Sequence, residues 1–375
     1  MTGVPVTGVP VTGGLLGAEQ APARVHDVAL LDLDGVVYVG SGAVPHAIEA
    51  LTAASAAGLR LCYVTNNASR PPQAVADHLR ALGLPADVQE VVTSAQAGAH
   101  LLADLVPPGS RVLAVGGSGV DEALRSRGLV PVRRTAAGNG VAGDGVAGDG
   151  VADVAAVLQG FGPDVGWREL ADAALVLARG VPWIATNRDL TIPIPGGRAP
   201  GNGALVAAVA TAVGRDPTAS AGKPEPALMA ESVERARAER PLVVGDRLDT
   251  DILGGNRAGL PTLAVLTGVS GVADLLDAAP PLRPGLVGAD LRALLAPHEP
   301  AVPDGRGWRC GDAAAVVAGA SLQVSAPSPL TAGAGVRMLR VACAAVWTAR
   351  DHGMDPEVTA AAATIEAALA ADRDG

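Results

Sequence analysis

The chain has 375 residues, of which 49% are hydrophobic, so it is long enough to bury two or three cores of ordinary domain size. A net charge of −10 argues against nucleic acid or an anionic membrane surface as the main partner. Three widely spaced cysteines without a CxxC pair, and six scattered histidines, exclude a disulfide framework and a metal site built on these residue types. The first residues carry neither a basic group nor a long apolar run, which predicts a soluble cytoplasmic protein without a signal peptide.

Apolar runs alternate with helical stretches along the chain. Residues 1–22 contain a TGVPV repeat and predict a disordered tail, after which the order is strand, loop, helix, strand. Runs typical of buried parallel strands cover 28–33, 61–64, 91–93, 112–115, 154–158, 183–185, 242–244 and 262–266. Helical stretches lie between most of them, for example at 71–82, 119–127, 167–178, 203–213, 225–238 and 250–258. This alternation predicts an α/β fold with a doubly wound parallel sheet.

Two other segments differ in composition from the alternating part. Residues 135–153 carry two copies of GVAGD, a Gly-rich pattern that predicts a flexible surface insertion, most simply a neutral expansion. The proline-bearing stretch PHEPAVPDGRG after Ala296 is typical of a linker. Beyond it, two short strand-like pieces and helices near 330–350 and 356–371 predict a small appended domain.

The strongest motif is VALLDLDGVVY, in which an apolar strand ends in Asp32 and Asp34 follows two residues later. Ligands of open α/β sheets bind outside the carboxyl ends of the strands, so both carboxylates are predicted to face a crevice. One can attack phosphorus, while the other donates a proton to the leaving oxygen and later activates water. Gly35 allows a sharp turn beside the ligand. Taken alone, this pattern fits an acidic turn equally well.

The second motif, LCYVTNNASR, ends an apolar strand in Thr65 and Asn66. A hydroxyl and nearby backbone N–H groups at a strand end suit phosphate oxygens, although an ordinary turn explains the segment when it stands alone.

The third motif is AGKPEP, in which Lys223 comes just before a predicted helix. It is the single lysine among 28 basic residues. Arginine therefore serves wherever charge alone is needed, and this position requires a compact ammonium that can neutralise a carboxylate nucleophile and a phosphate.

The fourth motif, PLVVGDRLDTDILGG, ends a strand at Asp246, and Asp251 follows at the first turn of the next helix. Asp32, the backbone carbonyl of Asp34 and Asp246 form an oxygen-rich set that suits Mg²⁺. Such an ion would reduce the repulsion between the aspartates and an incoming phosphate. Asp251 could hold a metal-bound water or Lys223.

With these four motifs the chain resembles the haloacid dehalogenase (HAD) superfamily of phosphohydrolases over residues 25–297. The resemblance implies that Asp32 is the nucleophile and a metal ligand, and that Asp34 is the general acid and base and binds metal through its carbonyl. It further implies that Lys223 neutralises charge and that Asp246 and Asp251 bind metal. The residues implied to bind phosphate are Thr65, Asn66 and Asn67. The cofactor would be Mg²⁺, and the partner a small phosphorylated metabolite, with a homodimer as a further possibility.

The long interval between Thr65 and Lys223 predicts an inserted cap. Its position, with ATNRDLTIP at 185–193 and PGNGALVAAV at 200–209, resembles the NagD-like subgroup with an α/β (C2-type) cap. In that subgroup, residues matching Thr186, Asn187 and Asp189 lie near the mouth of the active site, although a plain turn is an alternative. The predicted core consists of residues 23–97 and 214–297, and the predicted cap of residues 98–213. A small α+β C-terminal domain is predicted at 303–375.

The C-terminal piece resembles the acetyltransferase-like extension of actinobacterial members of the subgroup. Its AGAGVR at 332–337 is only loosely similar to an acyl-CoA phosphate loop, and a structural or oligomerising appendage is the favoured interpretation. The resemblance favours glycerol 3-phosphate as substrate, with 2-phosphoglycolate, pyridoxal phosphate or nitrophenyl phosphate as alternatives. A phosphotransferase is a rival enzyme class. A non-enzymatic phosphate-ester sensor is disfavoured, because a sensor needs no proton donor such as Asp34.

Overall fold

A computed structural model describes residues 15, 17–133, 153–194, 196–305, 307–326 and 328–374. The predicted insertion at 135–153, except its last residue, and residues 1–14 and 16 of the predicted tail lie outside the described residues. The described chain folds into two compact units. The first contains the chain up to Tyr63, Leu82–Leu84 and the part from Ala236 onward, and the second contains Val64–Ala81 and Pro85–Arg235.

The elements are numbered in chain order. The strands are β1 Val28–Leu31, β2 Tyr38–Val39, β3 Gly42–Ala43, β4 Arg60–Thr65, β5 Val91–Thr93, β6 Arg111–Val115, β7 Val130–Val132, β8 Ala156–Gln159, β9 Trp183–Ala185, β10 Thr191–Ile194, β11 Gly197–Pro200, β12 Ala219–Ser220, β13 Pro241–Gly245, β14 Thr262–Val265, β15 Leu286–Gly288, β16 Val302–Asp304, β17 Gly307–Cys310, β18 Ala313–Ala318 and β19 Ser321–Ser325. The α-helices are α1 Pro22–Val25, α2 Ala47–Ala56, α3 Pro72–Ala81, α4 Ser94–Ala103, α5 Ser118–Ser126, α6 Trp167–Leu177, α7 Asn202–Val213, α8 Pro226–Ala236, α9 Leu253–Arg257, α10 Val272–Leu276, α11 Ala334–Asp351 and α12 Thr359–Asp374. A π-helical turn, Leu248–Ile252, leads directly into α9.

The largest sheet has the order β15-β14-β13-β1-β4-β5. Strand β1 pairs in parallel with β13 and β4, so that Leu31 lies opposite Val244 and Tyr63. Every residue of β1 and β13 is buried, as expected for parallel strands covered on both faces. Because β1 and β13 are neighbours and parallel, the residues that follow them, Asp32 and Asp246, come to the same edge of the sheet.

The second unit has its own five-stranded sheet, with the order β12-β9-β8-β6-β7 and parallel pairing throughout. Helices α6 and α7 help cover it, and their residues Val176 and Val206 join Leu113 and Trp183 in one hydrophobic cluster. The predicted fold class, a parallel α/β core with an inserted α/β domain, is confirmed. The bounds of the second unit are wider than the predicted cap at 98–213.

The C-terminal part differs from the prediction in two ways. It has four antiparallel strands, β16-β17-β18-β19, where two were predicted. It also shares one hydrophobic cluster with residues from Leu248 to Val287, instead of burying a core of its own. The reason is that helix α11 is buried along most of its length, including every residue from Met338 to Trp347. Its Trp347, for example, is fully buried and donates a hydrogen bond to the Leu275 carbonyl at 2.9 Å.

The end of the predicted N-terminal tail is also ordered. Ala18 N donates to the His298 carbonyl at 2.7 Å, and His298 N donates back to the Ala18 carbonyl at 2.8 Å. Helix α1 then begins at Pro22. The prediction of disorder is therefore wrong for the stretch from Ala18 to Pro22. In the described parts of the chain, no helix combines the length and the apolar character that crossing a membrane requires.

Candidate active site

Three aspartates meet at the carboxyl edge of the largest sheet. Asp32 directly follows β1 and Asp246 directly follows β13, and Asp32 N donates to the Val244 carbonyl at 2.9 Å. Asp251 lies in the π-helical turn that follows Asp246. Carboxylate oxygens of Asp32, Asp246 and Asp251, one from each residue, all lie within 4.8 Å of one another. We call this group the aspartate cluster.

Backbone amides hold two members of the cluster in place. Val269 N donates to Asp246 Oδ2 at 2.7 Å, and Arg247 N donates to Asp251 Oδ2 at 3.1 Å. Asp246 and Asp251 are each only 1% exposed. Their carboxylates are therefore oriented by the main chain and held out of bulk water, which strengthens their mutual repulsion.

Glycines allow this close packing. A Cβ atom at Gly35 would lie 2.6 Å from Asp246 Oδ2, and one at Gly268 would lie 1.9 Å from the same oxygen. At Gly245 it would lie 2.2 Å from the Cβ of Asp251. Gly35 also has a φ of +86°, a conformation that other residues rarely adopt.

The donor set of the aspartate cluster fits a hard divalent cation. It is composed of carboxylate oxygens, which are the ligands that Mg²⁺ and Ca²⁺ prefer, and it contains no sulfur or imidazole. A cation would offset the repulsion among three converging carboxylates. Asp34 is exposed, and its side chain is not among the carboxylates of this group. The metal contact predicted for Asp34 concerns its main-chain carbonyl.

Sequence reasoning missed the loop that follows β14. Besides the amide of Val269, this loop supplies the Thr267 hydroxyl, which donates to the Gly35 carbonyl at 2.6 Å. Ser270 N donates to the Asp246 carbonyl at 3.0 Å, and its hydroxyl accepts from Leu248 N at 3.1 Å. The available signal was the sequence TLAVLTGVS, another apolar strand that ends in a Thr-Gly pair.

The predicted phosphate-binding residues lie in the second unit. Thr65 Oγ1 accepts from Asn67 N at 3.1 Å, which leaves the Thr65 proton available to donate. Asn66 Oδ1 accepts from Lys223 N at 2.8 Å, and Asn66 Nδ2 donates to the Lys223 carbonyl at 3.0 Å. Lys223 is 4% exposed, and its Nζ lies 3.3 Å from the Val64 carbonyl. Asn67 is exposed and accepts from Ser69 N at 2.9 Å.

The two predicted cap segments pack against each other. A Cβ atom at Gly201 would lie 2.3 Å from the Asp189 carbonyl, and one at Gly203 would lie 2.2 Å from the Arg188 carbonyl. Asn202 Nδ2 donates to the Asn187 carbonyl at 2.8 Å. The glycines and the amide thus hold the 186–190 loop against the start of helix α7.

The same loop reaches Asn66 in two places. Asn66 Nδ2 donates to Asp189 Oδ2 at 3.1 Å, and Asn187 Nδ2 donates to the Asn66 carbonyl at 2.7 Å. Five of the predicted residues, Thr65, Asn66, Asn187, Asp189 and Lys223, are therefore neighbours within the second unit.

A second group of potential metal ligands in the described residues, His100, Glu231 and Glu234, is called the Glu231 cluster. Glu231 is buried and accepts from Arg127 at 2.7 Å, from Arg235 at 2.9 Å and from His100 Nδ1 at 2.6 Å. Burial raises the pKa of Glu231, but the hydrogen bonds from Arg235 and His100 and the charge of Arg127 outweigh it and hold the pKa below its ordinary value. The carboxylate is already neutralised by protein cations.

The glycine loop before helix α11 is filled by a side chain of the protein. Gly333 N and Gly335 N donate to the two carboxylate oxygens of Asp372, each at 2.9 Å. A phosphate would need the same N–H groups. This arrangement favours the structural interpretation of the C-terminal part over an acyl-CoA site.

Comparisons with known proteins agree with the fold. Models of the haloacid dehalogenase-like hydrolases match residues 29–130, and HAD-hydrolase-like models match residues 220–294. The D-glycerol 3-phosphate phosphatase of Mycobacterium tuberculosis is 43% identical over 336 residues, covering 88% of each chain. Its crystal structure in complex with magnesium superposes with a TM-score of 0.76 at 40% identity, over 93% of this chain and 98% of that one.

More distant relatives share most of the same chain. The glycerol-3-phosphate phosphatase of Gallus gallus is 39% identical over 273 residues, covering 70% of this chain and 87% of its own. The structure of the p-nitrophenyl phosphatase from Archaeoglobus fulgidus has a TM-score of 0.63 at 26% identity, over 72% of this chain and 98% of its own.

A parallel α/β sheet with carboxylates gathered at its carboxyl edge suits phosphoryl transfer, which needs chiefly positioning and charge neutralisation. With the matches above, this chain belongs to the haloacid dehalogenase-like hydrolases. It is a phosphatase of that family, and the predicted superfamily resemblance is confirmed.

Proposed function

We propose that this phosphatase hydrolyses glycerol 3-phosphate with Mg²⁺, and that Asp32 is its nucleophile. The observation that carries the proposal is the aspartate cluster, which joins Asp32 to two further carboxylates at the end of neighbouring parallel strands. The substrate is suggested by the names of two relatives, at 43% and 39% identity, that are glycerol 3-phosphate phosphatases. Pyridoxal phosphate, 2-phosphoglycolate and nitrophenyl phosphate are the alternative substrates.

The proposed reaction has two steps. A carboxylate oxygen of Asp32 attacks phosphorus, the bond to the ester oxygen breaks, and Asp34 donates a proton to the departing glycerol oxygen. Asp34 then takes a proton from a water molecule, whose oxygen attacks the phosphorus; the bond from phosphorus to the Asp32 oxygen breaks, which releases phosphate and restores the Asp32 carboxylate. The exposed position of Asp34 supports its role as a residue that exchanges protons with water.

Asp32, Asp246, Asp251 and the Asp34 carbonyl are the proposed ligands of Mg²⁺. When bound, the ion supplies positive charge to the phosphoryl oxygens and offsets carboxylate repulsion. Lys223 is proposed to neutralise the negative charge that develops on the phosphoryl oxygens. Thr65, Asn187 and Asp189 are proposed to contact the substrate. Support for Lys223 comes from its burial and from its being the one lysine of the chain.

A phosphate-release screen tests this proposal. Wild-type enzyme with Mg²⁺ is expected to release phosphate fastest from glycerol 3-phosphate among some tens of phosphometabolites, and Asp32→Asn should release none. Fast release from Asp32→Asn would contradict the nucleophile, and a higher kcat/KM on another ester would replace the substrate. Adding alcohol acceptors distinguishes the phosphotransferase, because transfer to alcohol would then exceed hydrolysis.

The cytoplasmic location and a homodimer stay predictions from the sequence. Light scattering of the purified protein measures its mass directly, and a mass of one chain would contradict the homodimer.

A further inference from the structure

Both N–H donors of the Asn66 side-chain amide are used by protein groups. An asparagine amide offers two N–H donors and an acceptor oxygen. In Asn66 the oxygen accepts from Lys223 N at 2.8 Å, and the nitrogen donates to the Lys223 carbonyl at 3.0 Å and to Asp189 Oδ2 at 3.1 Å. The amide therefore forms hydrogen bonds with both the N–H and the carbonyl of Lys223, the same pair of groups that a neighbouring β-strand would use.

The main chain of Asn66 is fixed as well. Its carbonyl accepts from the Ser94 hydroxyl at 2.6 Å and from Asn187 Nδ2 at 2.7 Å. The residue before Lys223 leaves space for the contact, since a Cβ atom at Gly222 would lie 2.6 Å from Asn66 Oδ1. The position of Asn66 is thus fixed by hydrogen bonds, and two further hydrogen bonds join its side chain to the main chain of Lys223.

These contacts set the position of the Lys223 ammonium. A lysine side chain has four rotatable bonds, so its charge is placed precisely only when its main chain is fixed and its stem is buried. Both conditions hold, because Lys223 is 4% exposed and its Nζ lies 3.3 Å from the Val64 carbonyl at the end of β4. A shift of the Lys223 main chain would move the ammonium away from this carbonyl.

We propose that Asn66 is a positioning residue for Lys223, anchored by Asp189, instead of a phosphate ligand through its side chain. This inference rests on the proposed function only for the role of Lys223 in catalysis. We call the contacts of Asn66 with Lys223 and Asp189 the Asn66 bridge. Loss of the bridge displaces the ammonium that is proposed to neutralise developing charge, so the bridge is expected to contribute to kcat more than to KM.

The chain offers a direct probe of the bridge. It contains a single lysine, so protein labelled with ¹³C at lysine Cε gives one lysine side-chain signal in an NMR spectrum. The position and width of that signal report on Lys223 without any turnover. A purely structural defect elsewhere would leave the signal where it is.

Asn66→Asp is the main test variant. It has the same shape and keeps an acceptor for Lys223 N, but loses both donated bonds and places a carboxylate beside Asp189. We expect kcat for glycerol 3-phosphate to fall about 10- to 100-fold with KM changed less than about threefold, and the lysine signal to shift or broaden. Asp189→Ala keeps both bonds to Lys223, so the signal should move in the same direction by less, with a smaller loss of kcat.

Asn256→Asp is the matched control. Asn256 Nδ2 also donates to two carbonyls, of Pro281 at 2.9 Å and Arg283 at 3.0 Å, so the change removes equivalent bonds from the first unit. It should leave the lysine signal and kcat unchanged. A far-UV circular dichroism spectrum establishes that each variant is folded, and Asn66→Ser replaces any Asn66 variant that is not.

Two results would overturn the inference. An unmoved lysine signal in Asn66→Asp shows that the bridge does not position Lys223, whatever the rate. A moved signal with wild-type kcat shows that the position does not matter for the reaction. If instead the wild-type enzyme hydrolyses none of the esters, the proposed function fails, while the lysine signal still decides whether the bridge holds Lys223.

Discussion

The aspartate cluster and the Glu231 cluster both bring together three potential metal ligands, and they differ in the described groups that hold their carboxylates. Glu231 receives two guanidinium groups and an imidazole. Asp246 and Asp251 receive hydrogen bonds from backbone amides, which orient a carboxylate without cancelling its charge. A charge balanced by the chain's own cations stabilises the fold. Carboxylates that the main chain and glycines bring close together repel one another, and a bound cation can relieve that repulsion.

The largest expected effect is a loss of turnover when one charge of the aspartate cluster is removed. Asp246→Asn keeps an oxygen for Val269 N but removes one of three converging charges, so the cation is held and used less well. We expect turnover to fall about 1000-fold, equivalent to about 4 kcal/mol of transition-state stabilisation. Initial rates over a range of Mg²⁺ concentrations measure both the loss and the weaker metal dependence.

The same variant should behave in the opposite way toward unfolding. In Mg²⁺-free buffer, removal of a repelling charge is expected to raise the urea midpoint of Asp246→Asn above that of the wild type. Saturating Mg²⁺ should raise the wild-type midpoint further and that of the variant less, because ligand binding stabilises the folded state. A midpoint below the wild type without metal would show that the cluster is not under repulsion.

In the Glu231 cluster, removal of the charge is predicted to lower stability and to leave the metal dependence of activity unchanged. Glu231→Gln leaves Arg127 and Arg235 facing a neutral amide, so the free energy of unfolding should fall by about 3 kcal/mol, as when one partner of a buried ion pair is removed. The Mg²⁺ dependence of activity in the folded variant should stay at its wild-type value. Urea unfolding measures the first quantity, and a changed Mg²⁺ dependence would contradict the division between the two clusters.

Much of this contrast was readable from the sequence. Asp32 and Asp246 end apolar runs, so a parallel sheet had to bring them to one edge. The Glu231 cluster was not readable, because its partners are far apart in the chain and Arg127 and His100 carry no motif. Nothing local shows which of many arginines reaches a given glutamate.

Other parts were missed for similar reasons. The roles of Thr267 and Ser270 depend on β14 lying beside β13, which is a property of sheet order. The C-terminal strand Ala313–Ala318 consists entirely of alanine and valine, so it has no polar–apolar alternation from which a strand could be predicted. Whether the Asn66 amide faces a ligand or the main chain of Lys223 is decided by tertiary contacts alone.

A third polar cluster, formed by His298 and Arg340, makes the stability of the fold depend on pH. His298 lies against the buried guanidinium of Arg340, and its Nε2 lies 2.7 Å from the Ala293 carbonyl. Burial, and to a smaller extent the charge of Arg340, lower the pKa of His298 to about 4. The folded state therefore requires a neutral imidazole.

The sign of the effect follows from the two pKa values. The unfolded chain, with an ordinary pKa near 6.5, binds a proton before the folded chain does, so stability is complete above pH 6.5 and declines as the pH falls toward 4. Between pH 7 and pH 5 the expected loss is about 2 kcal/mol. The lowered pKa of Glu231 matters only below its ordinary value of 4.5. Urea unfolding at each pH should show a slope that His298→Asn flattens and Glu231→Gln does not.

The smallest expected effect concerns the space around the aspartate cluster. Gly35 and Gly40 both have positive φ, of +86° and +61°, so an alanine at either position costs about 1 kcal/mol of backbone strain. A Cβ atom at Gly40 meets nothing within 4 Å, whereas one at Gly35 meets Asp246 Oδ2 at 2.6 Å. The two substitutions are therefore matched in strain and differ in whether they push on a carboxylate.

Gly40→Ala should lose about 1 kcal/mol of stability and keep wild-type turnover. Gly35→Ala should lose a similar amount of stability and, in addition, about tenfold in kcat, because a displaced Asp246 holds the cation less well. Urea unfolding and phosphate release on the same preparations measure both effects. Equal turnover in the two variants would show that the cluster tolerates movement of Asp246, and that its three carboxylates do not depend on close packing against glycine.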